Sequence, residues 1–106
     1  MGLREHQKWL VEFYKQRDWY QYSPFIRLAY LSEEVGELSQ AVRAIEIGRD
    51  HPGEPEQTAQ KKHEHLCEEL ADILDQVLIL SSKYDIPLDG LVAHSELKLQ
   101  KRFPSG

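Results

Sequence analysis

Apolar positions along the chain recur at steps of three and four, the spacing of one helix face. Leu3, Trp9, Leu10, Phe13 and Tyr14 predict a first helix over roughly 3–17. "RDWYQYSP" breaks that pattern. Ser23 before Pro24 is a helix-start signal, a capping hydroxyl followed by a proline at the first helical position. Leu28, Leu31, Val35, Leu38, Val42 and Ile45 then form one stripe, which predicts a second helix over about 24–47. Gly48 is a plausible stop. "RDHPGEPEQ" reads as a polar loop. Leu66, Leu70, Ile73, Val77 and Leu80, widened by Leu74, predict a third helix from near Thr58 to near Tyr84. After "YDIPLDG", Leu88, Leu91, Val92 and Leu97 predict a last helix from Pro87 to about Arg102. No stretch alternates as a strand does. The expected fold class is all-α, a four-helix bundle-like subunit. A chain this short, with aromatics near its N-terminus, is expected to complete its core across a homodimer.

With 106 residues, the chain is expected to form a single domain, 1–106. Hydrophobic residues make up 41% and charged residues 29%, a balance that suits a folded soluble chain. The net charge of −5 disfavours a binder of nucleic-acid polymers, whose footprint is basic. It leaves room for a site that holds one nucleotide through a metal. No stretch approaches the ~20 apolar residues of a membrane span, and "MGLREHQKWL" lacks the apolar run of a signal peptide. A cytoplasmic location without membrane contact is the expectation. Cys67 is the only cysteine, so no internal disulfide forms, and a packed thiol is expected.

The charges carry more than the composition does. "YLSEEVGELSQAVRAIE" places Glu33, Glu34 and Glu37 along the second helix. Glu34 falls about 70° from the centre of the apolar stripe, and Glu37 about 60° further round. Ala41 and Ala44 share that flank and leave room in front of the carboxylates; Tyr30 can wall one end. Glu33 points further toward solvent. "CEELADILDQ" repeats the arrangement on the third helix, with Glu69 at the stripe's edge and Asp72 one turn on. Glu34/Glu37 and Glu69/Asp72 are thus two i, i+3 pairs, neighbours on their helix surfaces. If the stripes pack together, the pairs face each other across a groove. One acidic run alone is ordinarily a solvated helix face. Two pairs bordering the core on adjacent helices call for a counter-charge. Protonation would need pKa values raised by several units. A hard divalent cation such as Mg²⁺ takes oxygen ligands and keeps positions open for water and phosphate.

"EEVGEL" followed by "EELADIL" resembles the MazG-like nucleotide pyrophosphohydrolases, of the all-α nucleoside triphosphate pyrophosphatase group. The shared pattern is EExxE, a spacer, then ExxD. "RDWYQYSPFIRLAYLSEEVGEL" is also similar to the dCTP-pyrophosphatase-like members, and the similarity runs from about Trp9 to Pro104. The resemblance implies hydrolysis of a nucleoside triphosphate, a deoxynucleotide by preference, to the monophosphate and pyrophosphate, as house-cleaning of the nucleotide pool. It implies that Glu34, Glu37, Glu69 and Asp72 hold Mg²⁺, with Mn²⁺ as a substitute. Glu33 would orient or deprotonate the attacking water. It also implies a homodimer or homotetramer, with the all-α architecture completed by oligomerisation.

Two departures stand out. The spacer, residues 38–68, is longer than the common pattern, and the extra length falls in "HPGEPEQ". Aligned on "RFP", Ser95 and Leu99 stand where relatives often carry Lys and Asn in the last helix, and only Arg102 matches. Lys98 and Lys101 are the nearby substitutes. Lys83, about three turns after Asp72, either reaches a phosphate or is a lysine favoured at a helix C-terminus. Trp19 and Tyr22 either stack on a base or plug a core or interface. His63 and His65 are expected on a solvated face, and Asp75 as a surface charge. Two rival readings remain. One is a phosphoribosyl-nucleotide pyrophosphohydrolase. The other is a helical dimerisation or regulatory module that has lost turnover.

Overall fold

The computed structural model describes residues 2–48, 52–53 and 55–104. Four helices follow in order: α1 (Leu3–Gln16), α2 (Pro24–Glu46), α3 (Ala59–Lys83) and α4 (Leu88–Arg102). Among the described residues there is no strand. The fold is all-α, and each helix lies within two residues of the bounds that periodicity predicts. Residues 49–51 and 54 of the polar "RDHPGEPEQ" loop lie outside the described residues.

The ends of the helices follow from local chemistry. Ser23 has extended backbone, and its hydroxyl accepts from the Ile26 amide at 3.4 Å, with Pro24 opening α2. That satisfies one of the amides left over at a helix start. Gly48 takes φ +97° just past α2, a left-handed conformation that costs glycine nothing. Asp85 takes φ +54° after α3, and the Ile86 amide donates back to the Ser81 carbonyl at 2.9 Å. This is the wrapped-back hydrogen bond of a Schellman ending.

The residues fall into two compact units, 1–21 with 78–106, and 22–77. In the first, Leu10, Leu78 and Ile79 form a buried cluster, packed by Val11, Tyr14, Tyr20 and Leu88. Gln7 Nε2 donates to the Leu78 carbonyl at 2.8 Å, and Tyr20 and Ser82 share a hydroxyl–hydroxyl bond of 2.7 Å. Arg4 pairs with Asp89 on the surface.

The second unit departs from the expected packing. The apolar stripe of α2 is largely uncovered, with Leu28, Val35, Val42 and Ile45 exposed. Leu70, Leu74 and Val77 of α3 are exposed as well. The inward line on α2 is instead Arg27, Glu34 and Ala41, at steps of seven, with Arg27 and Ala41 buried and Glu34 half-buried. On α3 it is Glu69, Asp72 and Gln76, with Glu69 and Gln76 buried. Each inward line stands one residue, about 100°, from its helix's aliphatic stripe. Ala41, only 1% exposed, has the small side chain that a close helix approach needs. The aliphatic stripes are left outward.

Candidate functional site

α2 and α3 each contribute a carboxylate pair to one acidic cluster of the 22–77 unit, with Glu69 buried, Glu34 and Asp72 half-buried and Glu37 exposed. Glu34 and Glu37 come from consecutive turns of α2, Glu69 and Asp72 from consecutive turns of α3. Glu34, Glu37 and Glu69 each offer an oxygen within 4.8 Å of the others. Asp72 joins them through Glu34, with which it is within hydrogen-bonding reach. Glu69 is likewise within reach of Glu37 and of Glu34. Glu69 is only 4% exposed. Glu33, adjacent to Glu34 in the chain, is exposed.

This concentration of charge changes the acids that form it. Burial, then the charges of Asp72, Glu37 and Glu69, push the Glu34 carboxyl up from 4.5 to about 7. Glu69 is raised by burial and by Glu37 and Asp72, with His65 opposing. Asp72 is raised by burial and by Glu68, Asp75 and Glu37. One oxygen of Glu34 and one of Glu69 are buried without a hydrogen-bond partner. Buried polar atoms are rarely left so. An all-oxygen, anionic donor set with uncommitted buried oxygens fits a hard divalent cation.

The other candidate residues divide between the two units. Tyr22 belongs with the carboxylates, and the Arg27 guanidinium lies 5.7 Å from its ring and 4.9 Å from that of Tyr30. Trp19 belongs to the other unit, set edge-on against Phe13 and Tyr14. There Lys83 donates to the Tyr20 carbonyl and lies over the Tyr20 ring at 4.5 Å, a structural use of its charge. Lys98 and Arg102 line a depression along α4 with His94, Leu97 and Lys101.

Two expectations are corrected. His65 is not merely solvated, because its Nε2 is 3.2 Å from Glu69 Oε1. Cys67 is exposed rather than packed, with its Sγ 3.6 Å from His63 Nε2. Spacing shows both in hindsight, since 65/69 and 63/67 are i, i+4 neighbours on a helix. Arg27 was also missed; it sits two turns before Glu34 on the same line.

Residues 24–106, which hold both carboxylate pairs, match the MazG nucleotide pyrophosphohydrolase domain. The chain is also 44% identical over 103 residues to "Uncharacterized protein YvdC" of Bacillus subtilis (strain 168), covering 97% of each protein.

Proposed function

The chain belongs to the MazG nucleotide pyrophosphohydrolase family, and from that premise we propose that it hydrolyses a nucleoside triphosphate to the monophosphate and pyrophosphate. The reading takes a deoxynucleoside triphosphate as substrate and cytoplasmic nucleotide-pool cleaning as the role. All four helices, 1–106, act as one functional domain. The observation that carries the proposal is the convergence of Glu34, Glu37 and Glu69, with buried, unpartnered oxygens on two of them. A module kept only for assembly would have no use for so costly an arrangement.

Glu34, Glu37, Glu69 and Asp72 would hold Mg²⁺, or Mn²⁺ in its place. The cation would supply Lewis-acid charge against the phosphate oxygens. Glu33, exposed and next to Glu34 in the chain, would orient a water molecule and accept its proton during attack on phosphorus. The pyrophosphate leaves as the water oxygen bonds to the α-phosphorus. Tyr22, beside Arg27, offers a ring for the base. The exposed stripes of α2 and α3 support assembly into a homodimer or homotetramer.

The test is a pyrophosphate-release screen over canonical and modified nucleotides with Mg²⁺. At least one deoxynucleotide should turn over. Glu37→Gln and Asp72→Asn should each abolish release while helical circular dichroism is preserved. A silent panel with a folded wild type would favour the non-catalytic module instead.

A further inference from the structure

The longer spacer builds a wall that the carboxylate cluster alone does not explain. A cavity of about 200 Å³ opens in the 22–77 unit, lined by Gln40, Arg43 and Ala44 of α2, Lys62 and His65 of α3, and Glu56 of the connection. Gly48, Pro55 and Gln57 complete it. Its position relative to the acids follows from helix spacing. Gln40 and Ala44 lie one and two turns beyond Glu37 on the same flank of α2. His65 and Lys62 lie one and two turns before Glu69 on α3. His65 touches both places, lining the cavity while its Nε2 contacts Glu69. The cavity therefore continues the acidic groove, and along it the charge changes sign.

The chemistry of the lining selects its occupant. Arg43 and Lys62 are the cationic side chains of the lining. The Lys62 side chain is drawn in to 16% exposure, and its Nζ donates to Glu56 Oε1 at 2.8 Å. An anion thus already sits against Lys62, supplied by the connection itself. The Glu56 side chain is half exposed and lies on a segment outside any helix, so it can be displaced. The volume falls below the roughly 300–1,000 Å³ that encloses a whole drug-sized ligand. It suits a compact, highly charged fragment.

We infer that this cavity is the subsite for the diphosphate end of the triphosphate, with Lys62 and Arg43 as its cations and Glu56 as the internal anion that the substrate displaces. The inference rests on the pyrophosphohydrolase reading above. The scissile phosphate lies at the carboxylates, and the departing pyrophosphate lies toward α3's first turns. Glu56 then returns to Lys62 as the product leaves.

The experiment combines steady-state kinetics on a turned-over deoxynucleotide with calorimetric titration of inorganic pyrophosphate in excess Mg²⁺. It compares wild type, Lys62→Gln, Arg43→Gln and Glu56→Gln, with helical circular dichroism as the folding check. Lys62→Gln and Arg43→Gln should each weaken pyrophosphate binding about tenfold, and raise KM more than they lower kcat. Glu56→Gln should tighten pyrophosphate binding and lower KM. Unchanged KM and pyrophosphate affinity in Lys62→Gln and Arg43→Gln, with hydrolysis intact, would overturn the subsite and leave the hydrolase reading standing. Weakened binding of a deoxynucleoside monophosphate, in place of pyrophosphate, would also overturn it. A wild type that hydrolyses nothing yet binds pyrophosphate through Lys62 would support the subsite and refute the hydrolase reading.

Discussion

Glu33 and Glu34 are adjacent in sequence and differ sharply in setting. Glu33 is exposed, and Glu34 is half-buried among three other carboxylates. A proton acceptor needs access to water, whereas a metal ligand needs neighbours. Glu33→Gln should lower kcat by roughly 10²–10⁴-fold, the usual worth of a general base, and leave Mn²⁺ affinity nearly unchanged; steady-state kinetics and metal titration check both. Glu34 makes a second prediction. Burial and its acidic neighbours raise it from 4.5 to about 7. Between those values the folded chain keeps a proton that the unfolded chain has lost, so stability falls as pH rises through that window. The thermal midpoint of the metal-free protein should decline from about pH 5 to about pH 7. Glu34→Gln should reduce that slope without removing it, because Glu69 and Asp72 are raised too. At this scale the sequence was informative about the carboxylates, because EExxE and ExxD are local patterns. It was silent about Arg43 and Lys62, whose meaning depends on the connection that joins the helices, and it placed His65 on a solvated face although His65 contacts Glu69.

At the scale of elements, the helix bounds were legible because their signals lie within one turn of each end. Ser23 and Pro24 start α2, and Gly48 follows its end. Ser23→Ala should cost about 0.5–2 kcal/mol in urea-melt stability, the worth of a lost N-cap. The direction each helix faces was less legible. A stripe of leucines and valines reads as core by periodicity, and on α2 and α3 it is not the inward face. Periodicity measures where apolar residues cluster, not which cluster a partner covers. The lines through Ala41 and Glu69 win the interior of the 22–77 unit, while Leu28 and Val35 remain outside it. In the other unit, Leu78 and Ile79 are buried although the α3 stripe runs through Val77 and Leu80.

At the scale of the whole molecule, the uncovered stripes and the acidic groove belong to one account. Large apolar surfaces on a small chain favour association, and the stripes of α2 and α3 are the surface available for it. Val42→Glu combined with Leu70→Glu should shift light-scattering mass to that of one chain; a wild type already monomeric would refute the assembly. The central claim is that Glu34, Glu37, Glu69 and Asp72 share one counter-charge. Titration of the metal-free protein with Mn²⁺, followed by electron paramagnetic resonance, measures that most directly. Wild type should bind Mn²⁺, and Glu69→Gln, altering the most buried acid of the four, should lose most of that binding while staying folded. Equal Mn²⁺ affinity in the two proteins, or none in wild type, would contradict the account.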